Sequence, residues 1–168
     1  MDPHKIPGMR RAGQAAAATL YAAAALLRPG LVTAALDRFV RADTRARGGR
    51  PSQLGYHGFP ASLCVSPNEV VCHGIPRETL ILREGDIVNL DITTQLGGWH
   101  GDTSATFFVG SPSPEARHLV ETARRCRDAG VAAAHQRAVT AHLLRSALLA
   151  VIPAVAAGLV LLALRRRK

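Results

Sequence analysis

Two strand-like runs joined by a pair of glycines constrain the fold more than any other stretch of the chain. Apolar and polar residues alternate from Asp86 to Thr94, which is the period of a half-buried strand. Residues 103–109 are mostly β-branched and aromatic, another composition typical of strands. Because Gly97 and Gly98 lie between the two runs, we predict a β-hairpin with a tight turn.

Each run of this hairpin carries an aspartate, at Asp91 and at Asp102. Directly opposed residues of a hairpin with a two-residue turn are an odd number of positions apart, and these two are eleven apart. Their side chains are therefore expected on one face, opposite each other or one diagonal step away. Like charges placed in this way destabilise a sheet. A shared proton or a divalent cation would offset the repulsion, and the simplest alternative is that both side chains point to solvent.

The overall charge does not by itself indicate a partner. The 168 residues suffice for one ordinary domain, with 21 basic and 12 acidic residues and a formal net charge of +9. Only 4% of the residues are aromatic, and basic and aromatic residues do not alternate as they would on a surface that stacks on bases. We therefore expect a solvated basic surface and no specific nucleic acid partner.

Cysteine usage indicates a reducing compartment. Three cysteines at irregular spacing, Cys64, Cys72 and Cys126, form no disulfide framework, and their spacing lacks the paired pattern of structural zinc sites. We therefore predict a cytoplasmic location. The alanine-rich run 9–27 has an alternative interpretation as a secretory signal, which the odd cysteine count argues against.

The remaining pattern predicts helices at both ends of the chain and short strands between them. Helical spacing and propensity predict helices at Met9–Leu27 and Leu31–Ala42, and a long helix from Ala116 to about Ala134. Short strands are expected around Ala61–Val65 and at Asn68–His73.

Three ordered segments of the chain resemble one enzyme family. YHGFPASLCVSPNEVVCHGIP (Tyr56–Pro76), EGDIVNLDIT (Glu84–Thr93) and HGDTSATFFVG (His100–Gly110) are similar to the type I methionine aminopeptidases. The likeness extends upstream to MRRAG at Met9 and downstream to Arg125. It implies an α+β fold, the N-terminal half of a pita-bread (creatinase/aminopeptidase-like) domain. The residues that follow the likeness predict a C-terminal apolar helix by their own composition.

The same resemblance implies an activity and assigns roles to residues. It implies removal of the initiator methionine from nascent proteins by a metallo-hydrolase with two divalent metal ions (Co, Mn, Fe or Zn). Asp91 and Asp102 match metal ligands, and His73 matches a histidine that contacts the substrate. Tyr56 and Phe59 match residues that line the pocket for the methionine side chain. The implied partners are the N-terminal peptides of nascent proteins and the ribosome.

The sequence departs from the family pattern in its second part. The family takes a histidine and two glutamates from the second half of the fold as further ligands, and no acidic residue follows Asp128 here. We therefore expect impaired activity from a truncated or frameshifted chain. The alternative is a non-catalytic peptide- or ribosome-binding remnant. A related prolidase-like enzyme shares the fold, but the motifs at Tyr56–Pro76 and His100–Gly110 favour methionine release.

The C-terminal region suggests a separate segment, so we predict a partial aminopeptidase domain at 1–134 and an apolar tail at 135–168. Ser146–Leu164 has no charged residue and is flanked by Arg145 and by the basic residues 165–168. Its length and flanks are typical of a transmembrane helix, which would anchor the chain in a membrane by its tail. The alternatives are out-of-frame translation of GC-rich DNA and a soluble amphipathic helix.

Overall fold

The computed structural model describes the backbone of residues 5–165 and the side chains of residues 5–141. The chain divides into two compact units, Met1–His118 and Leu119–Lys168. The elements in chain order are α1 (Ile6–Ala24), α2 (Thr33–Ala46), β1 (Arg50–Pro51), a short 3-10 helix (Tyr56–Gly58), β2 (Cys64–Pro67), β3 (Ile87–Leu96), β4 (Trp99–Phe108) and α3 (Pro114–Arg165).

The predicted hairpin is confirmed as β3 and β4. The two strands pair antiparallel from Ile87 opposite Phe108 to Leu96 opposite Trp99. The two residues of the turn, Gly97 and Gly98, have φ angles of 58° and 82°. Positive φ at both central positions defines a type I′ turn, whose twist matches that of the flanking strands. Glycine takes this conformation without steric cost, which explains the pair of glycines between the two runs.

The other edge of β3 is covered by two short strands placed end to end. β2 pairs antiparallel with β3 from Cys64 opposite Asp91 to Pro67 opposite Val88. β1 pairs with the far end of β3, with Arg50 opposite Gln95. The order places β3 at the centre of a four-stranded sheet, so residues of β3 are held on both sides.

Both early helices cover one face of this sheet. α1 packs against β3, β4 and α2. The apolar residues of β3 alternate into the core as predicted. The main members of the buried cluster are Leu20, Leu36, Val40, Leu63, Val65, Leu82, Val88, Leu90, Ile92 and Val109. The opposite face of the hairpin, which carries the polar residues, is left for the candidate site.

The helices lie a few residues from their predicted bounds. α1 begins at Ile6 rather than Met9, because a proline occupies its first turn, where the fixed φ favours helix and no N–H is needed. α2 continues to Ala46, past the predicted end at Ala42. Here Asp43 joins the helix through an ion pair with Arg47, one turn further on.

One residue of β4 is in direct contact with the backbone of α1. A Cβ atom on Gly101 would lie 2.2 Å from the carbonyl carbon and oxygen of Ala12 and 2.3 Å from the amide nitrogen of Gly13. Such distances are far below van der Waals contact, so no side chain fits. Gly101 is therefore required by close packing between the helix and the strand.

The strand predicted at Asn68–His73 is wrong. Asn68 takes a left-handed conformation with φ of 48°, and the segment is a turn and irregular backbone. The Asn68 side chain accepts a hydrogen bond from the Ile87 N–H at 3.1 Å and donates one to Asp86 Oδ1 at 2.9 Å. These bonds hold Asn68 in a turn against residues far along the chain, which explains why the segment does not continue as a strand.

The predicted C-terminal helix is confirmed as part of α3, which starts at Pro114. The predicted boundary between residues 134 and 135 lies within this helix and stays a prediction. The side chains of Ser146–Leu164 lie outside the described residues, so the transmembrane interpretation also stays a prediction. Among the residues that are described, none of the helices combines the length and apolar character needed to cross a bilayer.

A polar link joins the first two helices. The buried Thr19 hydroxyl of α1 donates to Asp43 Oδ2 of α2 at 2.8 Å. Arg47 Nε donates to the same oxygen at 2.7 Å. The hydrogen bond from Arg47 lowers the pKa of Asp43 most, burial opposes it, and the Thr19 hydrogen bond lowers it further. The folded chain therefore favours the ionised carboxylate.

This lowered pKa predicts an acid-sensitive contribution to stability. A carboxyl group whose pKa is lowered in the folded chain stabilises the fold at a pH above its ordinary pKa of 3.8. This stabilisation is lost as the pH falls through the lower pKa of the folded chain. We expect Asp43→Asn to lower the free energy of unfolding by about 1 kcal/mol at neutral pH. The expected loss is smaller than for a buried charged hydrogen bond, because the side chain of Arg47 is partly exposed. Urea unfolding across pH checks this, and a deficit that does not shrink in acid would contradict it.

Candidate metal centre and peptide cleft

The hairpin register places the two aspartates side by side on its polar face. Asp91 lies opposite Ser104, and Asp102 lies opposite Thr93. Asp91 and Asp102 are therefore diagonal neighbours on one face, as the sequence predicted. The Thr93 hydroxyl donates to Asp102 Oδ1 at 3.0 Å. The Thr93 side chain, which lies on the same face, thus fixes the orientation of the Asp102 carboxylate.

The surroundings of Asp91 disfavour its ionised form. Burial raises the pKa of Asp91, and the nearby Asp102 raises it further through its charge and a side-chain hydrogen bond. The charge of His73 opposes this rise in the pKa of Asp91. Asp91 is half-buried and Asp102 is exposed, so the alternative in which both aspartates point to solvent fits Asp102 better than Asp91. A shared proton and a bound cation are the arrangements that relieve the repulsion.

The donor set of this pair fits a divalent cation in part. Two adjacent carboxylates supply the hard oxygen donors that such ions prefer. Across residues 5–141, however, no group of three or more histidine, cysteine, aspartate and glutamate side chains is arranged to hold a metal ion. Asp91 and Asp102 would therefore hold the ion from one side, and the rest of its coordination would come from water or from other ligands.

A cleft of about 640 Å³ opens beside this pair. It brings together the residues that the sequence predicted for substrate binding, His73, Tyr56 and Phe59, with Asp91 and Asp102. The full lining is Gln53, Tyr56, His57, Gly58, Phe59, Pro60, Cys64, His73, Ile75, Asp91, Thr93 and Asp102. Apolar and aromatic groups thus surround one pair of carboxylates, an arrangement typical of small-ligand sites.

The aromatic wall of the cleft is formed by a compact turn. The Gly55 N–H donates to the Phe59 carbonyl at 2.8 Å, and the Phe59 N–H donates to the Tyr56 carbonyl at 2.9 Å. The ring of Tyr56 meets the ring of His57 edge to face, with centroids 4.4 Å apart. Tyr56 is 69% exposed. A large ring that remains exposed at the mouth of a cleft is available to contact a ligand.

His73 is held in an uncommon backbone conformation. Its φ is 56°, in the left-handed region that non-glycine residues rarely adopt. The following residue anchors it to β2, because the Val65 N–H donates to the Gly74 carbonyl at 2.8 Å and the Gly74 N–H donates to Ser66 Oγ at 3.1 Å. Strained backbone of this kind is concentrated at functional sites, which supports a role for His73 in the cleft.

Several residues of the cleft were not assigned a role from the sequence, among them Thr93, Gln53 and Cys64. Thr93 could have been found, because it follows Asp91 by two positions and so shares its face. Gln53 lies in a polar loop that gives no signal of its own. Cys64 lines the cleft as a buried thiol, and burial, with smaller effects from neighbouring charges, raises its pKa to about 11. It therefore stays protonated at neutral pH.

Two further histidines lie near the site, and the sequence assigned neither of them a role. His57 lies in the cleft wall. His100 Nδ1 is 2.9 Å from Ser52 Oγ, so it ties the loop after β1 to β4.

Comparison with known proteins identifies the family. The model of metallopeptidase family M24 matches residues 7–160. Methionine aminopeptidase A of Synechocystis sp. is 47% identical over 133 residues, which are 79% of this chain and 53% of that protein. The crystal structure of methionine aminopeptidase from Rickettsia prowazekii matches with a TM-score of 0.70 and 38% identity over 72% of this chain and 48% of that one. The crystal structure of methionine aminopeptidase from Thermotoga maritima matches with a TM-score of 0.72 and 31% identity over 74% of this chain and 50% of that one.

These matches confirm the predicted α+β, pita-bread fold for the part of the chain that they cover. The chain spans about half the length of the relatives and solved structures that it matches. The family match covers most of the chain and agrees with the motifs, the hairpin and the cleft. The chain is therefore a member of metallopeptidase family M24.

Proposed function

We propose that the protein removes the N-terminal methionine from nascent proteins in a metal-dependent hydrolysis. The observation that carries this proposal is the carboxylate pair Asp91 and Asp102 beside a cleft with an aromatic wall. The relatives are methionine aminopeptidases, and this activity is transferred from them to the chain. The proposed location is the cytoplasm, with the N-terminal peptide of a nascent protein, and the ribosome that carries it, as partners.

The proposed cofactors are two divalent metal ions, Co, Mn, Fe or Zn. Such ions supply an activated water and polarise the peptide carbonyl. Asp91 and Asp102 would hold them, because their oxygens already lie together on one face of the hairpin. Thr93 orients Asp102 through its hydroxyl. Half-burial of Asp91 keeps bulk water from competing fully for its oxygens.

Three other residues of the cleft would bind the peptide. His73 would donate or accept a hydrogen bond at the amide to be cleaved, which a histidine can do at neutral pH. Tyr56 and Phe59 would contact the methionine side chain, since a polarisable thioether packs well against aromatic rings. His73 and Tyr56 line the same cleft as the carboxylates, so a short peptide could reach both.

The proposed activity of this chain alone is weak. Two carboxylates leave most of the coordination of two ions to water, and no larger ligand group occurs among residues 5–141. The matched relatives are about twice as long, and we propose that ligands from a second half of the fold complete the site in them. A chain that supplies only the first half would bind ions loosely and turn over slowly.

A second candidate is a non-catalytic module that binds peptides or ribosomes. The observation that favours it is the composition of the cleft, which among the described residues combines the aromatic side chains of Tyr56 and Phe59 with two carboxylates and no larger group of metal ligands. Such a module would hold an N-terminal peptide without cleaving it. The version anchored in a membrane through its tail depends on residues 146–164, whose side chains lie outside the described residues.

A peptide assay distinguishes the two functions. The full chain is incubated with Met-Ala-Ser and with Leu-Ala-Ser, in Co²⁺ or Mn²⁺ and in excess EDTA, and free amino acids are quantified. We expect slow release of methionine with metal, none with EDTA and little release of leucine. Calorimetric titration with the same peptides measures binding without turnover. Peptide binding with no methionine released in any metal would overturn the enzymatic proposal and favour the second candidate.

A further inference from the structure

The junction between β1 and β2 leaves a gap along one edge of β3. β2 begins at Cys64, opposite Asp91, and β1 ends at Pro51, opposite Thr94. In an antiparallel strand, alternate residues direct both their N–H and C=O groups to the same edge. Thr93 directs its carbonyl to this edge, where it accepts a hydrogen bond from the Ser52 N–H at 2.8 Å. The Asp91 carbonyl and the Thr93 N–H therefore face the gap.

The side chain of Gln53 fills this gap. Its Nε2 donates to the Asp91 carbonyl at 3.1 Å, and its Oε1 accepts from the Thr93 N–H at 3.3 Å. The same Nε2 is 3.7 Å from Cys64 Sγ, at the end of β2. One carboxamide thus supplies a donor and an acceptor, as a peptide group of a neighbouring strand would. These two backbone groups lie on either side of Ile92, and one of them belongs to the proposed metal ligand Asp91.

The backbone of Gln53 connects the same point to the cleft wall. Its carbonyl accepts a hydrogen bond from the Tyr56 N–H at 3.0 Å, which starts the turn that presents Tyr56 and Phe59. The preceding residue, Ser52, is bonded both to β3 and to His100 of β4. Gln53 therefore links the backbone under Asp91 to the loop that carries the aromatic wall.

We propose that Gln53 is a positioning residue of the site, whose carboxamide completes the edge of β3 and fixes the backbone that carries Asp91. The link to metal binding rests on the proposed function, because it assumes that Asp91 and Asp102 hold a cation. Partners behind a metal ligand restrict its orientation, and their loss commonly weakens metal binding. Gln53 itself touches neither the cation nor the peptide in this assignment.

The test uses the full chain with three substitutions. Gln53→Met keeps the length of the side chain and removes both hydrogen bonds. Gln53→Glu keeps an oxygen that accepts from the Thr93 N–H and removes the donor to Asp91. Gln14→Met, on the exposed surface of α1, is the matched control. Mn²⁺ affinity is measured by electron paramagnetic resonance, amide hydrogen exchange by NMR without metal, and unfolding by urea.

For Gln53→Met we expect about tenfold weaker Mn²⁺ binding and faster amide exchange at Thr93. Gln53→Glu is expected to keep the slow exchange at Thr93, and Gln14→Met is expected to match the original chain in every measurement. Lower stability of Gln53→Met with unchanged Mn²⁺ affinity would show a merely structural role and overturn the inference. Unchanged exchange at Thr93 in Gln53→Met would also overturn it.

Failure of the proposed function gives a different result. If the unsubstituted chain binds no Mn²⁺, the metal centre proposed for Asp91 and Asp102 fails. The exchange measurement needs no metal and still decides whether Gln53 completes the edge of β3. Accelerated exchange at Thr93 in Gln53→Met alone supports that role, and unchanged exchange overturns it.

Discussion

Gly101→Ala is expected to destabilise the chain more than any other single methyl group added on the hairpin. The added Cβ would lie 2.2 Å from the backbone of Ala12, where no flexible side chain can move aside. α1 and β4 would have to separate, and the expected loss lies at the upper end of the roughly 1–3 kcal/mol that overpacking of a core costs, because the clash is with backbone. Urea unfolding of the purified variant measures this loss. The neighbouring Asp102 would shift with the strand, so Mn²⁺ affinity should fall as well.

Gly13→Ala provides the control on the other side of the same contact. Nothing lies within 4 Å of a Cβ atom at this position, which is inside α1. Replacing a glycine within a helix by alanine removes an entropic cost, so a gain of about 0.5–1 kcal/mol is expected. Equal losses of stability in the two variants would contradict the assignment of the close contact to Gly101.

Asp102→Asn is expected to abolish the metal-dependent release of methionine and to stabilise the chain without metal. Loss of one of two carboxylate donors removes most of the ion affinity. The raised pKa of Asp91 means that its ionised form costs stability, and this cost appears as the pH rises through that pKa. Removing the charge of Asp102 should recover about 0.5 kcal/mol at neutral pH. Activity with Mn²⁺ and urea unfolding in EDTA are measured on the same variant.

Asp128→Asn is the matched control for this substitution. Its carboxylate is exposed and pairs with the adjacent Arg127. We expect unchanged metal affinity and a stability change within about 0.5 kcal/mol, the usual range for an exposed pair. A gain of stability as large as that of Asp102→Asn would mean that the effect arises from overall charge and not from the carboxylate pair.

The hairpin could be predicted from the sequence because its signals are local. Alternation from Asp86 to Thr94 defined the faces of β3, and two glycines defined the turn, so the relative position of Asp91 and Asp102 followed from counting. The strand expected at Asn68–His73 was wrong because the side chain of Asn68 bonds to Ile87, a residue distant in sequence. Pattern reasoning cannot detect such a bond.

The candidate site likewise contains residues that the sequence predicted and one that it could not predict. Tyr56, Phe59 and His73 were predicted from the family motifs, and the cleft brings them together with the aspartates. Gln53 could not be predicted, because its role depends on where two short strands end beside β3. A side chain that replaces a missing peptide group leaves no trace in periodicity or spacing.

Two neighbouring residues of one motif, Gly101 and Asp102, lie on opposite faces of the sheet. Gly101 contacts the backbone of α1 on the covered face, while Asp102 belongs to the carboxylate pair on the open face. The facing position in α1 is the small residue Ala12, which is fully buried. The contact is with backbone atoms of α1, so no change of side chain in that helix can make room for a larger residue at position 101. In related sequences that keep this helix packed on the strand, we expect the glycine before the aspartate to be kept.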